Sequence, residues 1–279
     1  MGNKTYTNCL PADFWNKTLR ECRNENCLDA YAMLARGFWT CENKDIKGRI
    51  LLTGINPSYN GLPFDSEKMI ESTPFAQLVP CEKRNGFWHN KAKQFGNLWK
   101  DDIMSYLDLF PIRESDQSLF EIAFKELADL RRTVLEVTQV EIESMKPKLI
   151  VHANKNSIYY WGIKKNTPIE EDAIDKENPW MGYMVKRVTE KDYPKLPECL
   201  KKYNRLELFP LYEIVGFQEN EKRINQKDYP ESSSLEGSFL MEYVMDGRNK
   251  KYNGKLYQEK ENGPKEWTEI WNWVKDLKQ

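Results

Sequence analysis

The chain has 279 residues, 30% of them charged and 40% hydrophobic, with a formal net charge of −1. That length holds one large α/β domain or two small ones, and the balance excludes a disordered or collagen-like chain. A charge near zero excludes a global basic field, so a nucleic-acid surface would have to gather its Lys and Arg on one face.

Residues 1–47 read as a helical lead-in. Residues 1–10 lack an apolar signal core, and no apolar run reaches the roughly 18 residues of a membrane span, so the cytoplasm is the expected location. Within 29–39, Ala30, Met33, Leu34 and Phe38 recur at helical spacing. Residues 49–55 follow as a strand whose Ile50, Leu51, Leu52 and Ile55 form a short apolar run, stopped by Gly54 and Pro57. A long loop with Pro63, Pro74 and Pro80 leads towards a helix near 93–101. A second strand spans 104–110 and closes at Pro111. Residues 118–144 carry helical periodicity that ends before Pro147, and a third strand covers 148–153, with a helix starting near Asn156. Strand and helix alternate, which predicts a parallel, doubly wound sheet.

The segment 164–236 reads as an insertion, polar at both ends, with a strand pair in 206–217 broken at Pro210. Residues 238–245 form the last predicted strand. A terminal helix over 264–278 aligns Trp267, Ile270, Trp271, Val274 and Leu277 on one face, with Pro264 in its first turn. The expected class is therefore α/β: three layers, α/β/α, around a parallel sheet of about four strands, in one domain spanning 1–279.

The six cysteines, Cys9, Cys22, Cys27, Cys41, Cys81 and Cys199, form no Cys-x-x-Cys pair. Reduced thiols are the ordinary reading. Metal binding by Cys22, Cys27 and Cys41 stays open, but no metal is assigned.

In open α/β sheets, ligands bind beyond the carboxyl ends of the strands. That places Asn56 and Ser58, just past the first core strand, where chemistry is expected. The stretch Gly54-Ile55-Asn56-Pro57, followed by Gly61-Leu62-Pro63-Phe64, resembles motif 1 of the uracil-DNA glycosylase superfamily. It is nearest the mismatch-specific thymine/uracil branch, whose loop reads Gly-Ile-Asn-Pro-Gly, then Gly-x-Pro-Phe. Ser58 stands where that branch has its second glycine. Lys146-Pro147-Lys148-Leu149-Ile150-Val151 and Trp161-Gly162 extend the similarity, so it covers 48–162. The C-terminal third matches in outline. The superfamily's His-Pro-Ser or Asn-Pro-Ser loop is absent, and Met245-Asp246-Gly247-Arg248-Asn249-Lys250 stands in its place. Some branches carry an iron–sulfur cluster on a close Cys pair, which this chain lacks.

The resemblance implies a monofunctional DNA glycosylase that hydrolyses the N-glycosidic bond of a flipped base, without metal or cofactor. It assigns Asn56 to hold the attacking water, Phe64 to stack on the base, and Ile55 and Tyr59 to the base pocket. Asn56 equally suits an Asx turn before Pro57, and Phe64 ordinary packing. Asp108 sits inside an apolar strand, where an unpaired acid is costly. The classical uracil branch places an Asn on that strand to read the base edge. An Asp there would accept from an exocyclic amine, which points to a cytosine-type or modified pyrimidine. A plain strand-edge Asp, bonded to backbone or to Arg113, is the alternative. Arg248 would offset leaving-group charge, while Ser58, Lys250 and Lys251 would contact DNA phosphates. His152, in a core strand, reads as a packed histidine, and His89 matches no motif. The competing readings are an inactive glycosylase-like module that binds nucleic acid or a protein, and a hydrolase of a free nucleoside or nucleotide. Repair and phage defence are both open as biological settings.

Overall fold

The computed structural model describes residues 10–43, 50–57, 70–74, 95, 98, 103–153, 155–164, 167–168, 180–191, 196–205, 210–218, 232–242, 251–252, 255–256 and 263–277. Helices α1 (Ala12–Asn24) and α2 (Leu28–Leu34) lead into strand β1 (Phe38–Glu42). Strands β2 (Ile50–Gly54), β3 (Ile70–Pro74) and β4 (Met104–Asp108) follow. Then come α3 (Gln117–Glu126), α4 (Ala128–Met145), β5 (Leu149–His152) and a 3-10 segment, Lys155–Trp161. A small pair, β6 (Ile163–Lys164) and β7 (Thr167–Pro168), precedes β8 (Tyr183–Arg187) and α5 (Glu198–Arg205). The described chain continues with β9 (Leu211–Phe217), β10 (Phe239–Glu242), the hairpin β11 (Lys251–Tyr252) and β12 (Lys255–Leu256), and α6 (Gly263–Asp276).

Among the described residues the main sheet has six strands, in the order β4-β2-β5-β10-β9-β8. The first four run parallel, as expected from apolar runs that are buried on both faces. β9 pairs antiparallel with β10, and β8 antiparallel with β9. The sheet thus exceeds the expected four strands, and both extra strands come from the segment read as an insertion. Pro210 directly precedes β9, a position that costs no ladder hydrogen bond, and residues 206–209, the first half of the expected strand pair, lie outside the described residues. β8 is short and alternates, with Tyr183 and Val185 buried and Met184 and Lys186 less so.

Side-chain alternation divides the core in two. Leu51, Leu107, Ile150, Leu240, Tyr212 and Ile214 face the cluster that holds Trp15 and Cys22 of α1, Met33 and Leu34 of α2, and residues of α3 and α4. Ile50, Leu52, Met104, Tyr106, Val151 and Met241 face the cluster containing Leu200 of α5 and Trp267, Ile270 and Val274 of α6. Period-two alternation explains the split, since successive strand residues point to opposite faces. Helices therefore cover both faces of the sheet. Among the described residues, no helix is long and apolar enough to cross a membrane.

Three local expectations are corrected. The helix expected over 29–39 ends at Leu34. Gly37 takes a left-handed φ of 77°, and Phe38 and Trp39 enter β1. Trp15 stacks on Phe38 with centroids 3.9 Å apart, so a tertiary contact fixes a residue that continues the helical spacing. The single helix expected over 118–144 is two, broken at Leu127, whose φ of −128° and ψ of 51° lie outside the helical region. The region following Asn156 is a 3-10 segment rather than an α-helix. The helix expected near 93–101 falls largely outside the described residues, apart from the buried Phe95 and Leu98.

Glu143 of α4 ties distant parts together. Its Oε1 accepts from the Tyr183 hydroxyl at 3.0 Å and the Ser233 hydroxyl at 2.6 Å. Its Oε2 accepts from the Ser234 backbone N–H at 2.7 Å, with the Ser234 hydroxyl 2.5 Å away. A buried carboxylate is tolerable because its lone pairs are filled in this way. Removing it strands the Tyr183 and Ser233 hydroxyls and the Ser234 backbone donor. Glu143→Ala is expected to lower stability by about 3 kcal/mol, read by urea unfolding, with Glu143→Gln losing less.

Candidate functional site

From β2 the chain moves outward to β4, then returns across β2 to β5. The reversal lies between β2 and β5, so their carboxyl ends form the topological switch point at which α/β sheets bind ligands. Residues 55–57 follow β2 there. Pairing continues past the strand ends: Leu109 N–H donates to Gly54 O at 3.1 Å and Phe110 N–H to Ile55 O at 2.8 Å, while Ala153 N–H donates to Thr53 O at 2.7 Å. The Ile55 side chain is buried in the core on the α1–α4 face.

Asn56 is half-buried and heavily engaged. Its Nδ2 lies 2.6 Å from Glu114 O, 3.2 Å from Ile112 O and 3.3 Å from Pro57 O. Its Oδ1 accepts from Gln117 Nε2 at 2.8 Å. The amide thus pins the loop after β4 to the loop after β2, which goes beyond the local Asx turn that Pro57 suggested. An amide flip would set Oδ1 against backbone carbonyls, so the orientation is fixed by its partners.

Glu114 reinforces the same junction. It is buried, forms an ion pair with Arg36, and accepts through Oε1 from Ser115 N–H at 2.7 Å and Asp116 N–H at 2.9 Å. Its own N–H donates to Pro57 O at 3.0 Å. Asp116 then caps α3, accepting from Ser118 N–H at 2.8 Å and Leu119 N–H at 3.3 Å.

Asp108 ends β4 directly opposite Gly54 in the parallel register. It is 4% exposed, and its Oδ1 accepts from the Tyr106 hydroxyl at 2.6 Å. Burial pushes its carboxyl up to about 7, against a smaller downward pull from the Tyr106 bond. Burial and the Asp108 charge push the Tyr106 hydroxyl and the Cys41 thiol well above their usual ranges. The pair passes over the end of β2 because Gly54 has no side chain. A Cβ there would lie 2.1 Å from Asp108 Oδ1 and 2.6 Å from the Tyr106 hydroxyl. Asn43 holds the other edge of β4, accepting from Tyr106 N–H at 2.9 Å and donating to Tyr106 O at 2.8 Å.

The structure thus brings Asn56 and Asp108 to the ends of neighbouring strands. It also adds Glu114 and Gln117, which the sequence reading missed. Their signal was the polar run 113–117 after Pro111, since the loop after a neighbouring strand must border the same edge. His152 is fully buried in β5, in register with Thr53. Ser58, Tyr59, Phe64, His89, Arg248 and Lys250 lie outside the described residues. Lys251 pairs with Leu256 in a hairpin separate from the main sheet, and its side chain is likewise outside. Cys22 and Cys27 approach each other, and burial, then Cys27, pushes the Cys22 thiol up to about 11. Cys41 packs in the core cluster on the other face. Among the described residues, no three His, Cys, Asp or Glu side chains gather as metal ligands.

Two outcomes follow from the Asp108 environment. Between about pH 4, where an unfolded Asp titrates, and about pH 7, the native state binds the extra proton, so stability falls as pH rises through this window. Asp108→Asn keeps an acceptor for Tyr106 and removes the charge. In guanidinium unfolding it should flatten that slope and exceed wild type in stability at pH 8. Gly54→Ala should cost at least about 2 kcal/mol in the same assay, because backbone and two buried polar groups must shift. Comparisons of the chain with protein-family models, with curated proteins and with solved structures return no match.

Proposed function

We propose that this protein is a monofunctional DNA glycosylase of the uracil-DNA glycosylase type, acting on a non-canonical or modified pyrimidine. The observation that carries this reading is the location of Gly54-Ile55-Asn56-Pro57 at the carboxyl end of a central parallel strand, beside the end of the strand that bears Asp108. The four parallel strands in the order β4-β2-β5-β10, covered by helices on both faces, support the fold that the motif implies.

Breaking the bond between deoxyribose and base builds positive charge on the sugar and negative charge on the departing base. Asn56 contributes an amide oxygen of fixed direction, which already accepts one hydrogen bond and has a second lone pair for water. An amide accepts no proton at neutral pH, so water attacks late, on a sugar already cationic in character. Asp108, with a carboxyl near 7, accepts from a base amine when ionised and donates to a base carbonyl when protonated. At 4% exposure it meets a base only if the base displaces the groups that cover it. In this reading Phe64 and Tyr59 flank the base, Arg248 offsets the leaving charge, and Ser58, Lys250 and Lys251 hold the strand.

One observation favours a second reading, an inactive glycosylase-like module that binds nucleic acid or a protein. The Asn56 amide links two loops whether or not chemistry occurs. Wild type and Asn56→Ala should be incubated with DNAs containing uracil, thymine mismatches, hydroxymethylcytosine and glucosylated cytosine, and alkali-revealed strand breaks scored. Cleavage of one substrate, reduced about 100-fold or more in a still-folded Asn56→Ala, is the expected result. Salt-sensitive DNA binding with no cleavage of any substrate would replace the enzyme by the binding module.

A further inference from the structure

We propose that Gln117 is the second half of the water site: Asn56 Oδ1 and Gln117 Oε1 together accept both protons of one water. The inference rests on the glycosylase reading for its chemistry, but its geometry is independent. Gln117 Nε2 donates to Asn56 Oδ1 at 2.8 Å. The other end of the same amide, Oε1, is fully shielded and has no hydrogen-bond partner among the described residues. A buried acceptor left in that condition is destabilising, so a donor from outside the protein is favoured there, and it enters by displacing the groups that cover Oε1 in this structure.

The two oxygens are close by construction. Their separation cannot exceed the Nε2–Oδ1 distance plus the width of one amide, and a water about 2.8 Å from each can span that. Both acceptors are held. Asn56 is fixed by the carbonyls of Ile112 and Glu114, and Gln117 by the first turn of α3, which Asp116 caps. A water that gives both protons to two fixed oxygens has its lone pairs aimed away from them, and those lone pairs are its nucleophile. The oxygen–C1′ bond of the sugar then forms as the C1′–N bond breaks, and the bonding pair leaves with the base. One water proton stays on the new sugar hydroxyl, and the other passes through solvent to the base. No further reactant is needed. Gln117 polarises and aims Asn56 as well, so it acts both on the water and through Asn56.

The test has two arms. A high-resolution crystal structure of wild type should show a water bridging Asn56 Oδ1 and Gln117 Oε1. Two ordered amides with no water between them would overturn the inference, whether or not any DNA is cleaved. In the second arm, Gln117→Met, of similar length but without polar atoms, is compared with wild type on the DNA that wild type cleaves. The expected result is a single-turnover rate reduced at least 10-fold, with DNA affinity changed less than 2-fold. Gln117→Glu should add an ionisation to the rate–pH profile, because only a protonated carboxyl can donate to Asn56 Oδ1. A rate for Gln117→Met within 2-fold of wild type, with no added ionisation in Gln117→Glu, would remove Gln117 from the site. Failure of wild type to cleave any DNA, with the bridging water present, would sink the glycosylase reading and leave the water site standing.

Discussion

The pairing of β2 with β4 is the constraint on which the site depends. In that register Gly54 lies opposite Asp108. Tyr106 and Asp108 project from the same face, two residues apart, and their hydroxyl–carboxylate bond crosses the space a side chain at position 54 would fill. A shift of one residue would turn both polar groups to the opposite face and put Leu107 in their place. One backbone register therefore decides where the buried acid sits, what satisfies it, and where the loop carrying Asn56 leaves the sheet.

Past the strand ends, side chains supplement the few backbone bonds that continue the ladder. Asn56 and Glu114 each bond the other's loop, Glu114 also holds Arg36, and Asp116 starts α3 at the point from which Gln117 reaches back. Loops at a ligand edge must supply their own rigidity, because no neighbouring strand satisfies their backbone groups. The same hydrogen bonds that stabilise this junction aim the amides, so folding and pre-organisation share one set of contacts.

Legibility along the chain followed the range of the forces involved. β2, β4 and β5 were readable because Ile50, Leu51, Leu52 and their counterparts are apolar on both faces and are bounded by Gly and Pro. α6 was readable from the spacing of its tryptophans. Phe38 misled because it continues the spacing from Leu34, while the stop is Gly37 and the anchor is Trp15, a contact made across 23 residues. β8 was missed because its alternation, Tyr183 and Val185 in against Lys186 out, is only five residues long and follows a polar stretch. At the site, Asn56 and Asp108 stood out by motif and by an acid in an apolar strand. Gln117 did not: a side-chain bond spanning 61 positions has no local signature.

The position of β10 carries a consequence for how the molecule is assembled. It is the last strand of the main sheet in the chain, yet it lies between β5 and β9. Until residues 239–242 are made, β5 exposes an unpaired parallel edge and the β8–β9 ribbon has no central partner. In a chain lacking them, strand β5 and the β8–β9 ribbon would have no segment to join them, and any open edge would invite pairing with another molecule. The seam closes only when a late segment threads into the interior, with Ser233 and Ser234 docking on Glu143 just upstream. Synthesis order thus leaves both edges open until the β10 segment emerges, the interval in which a chaperone would have most to protect.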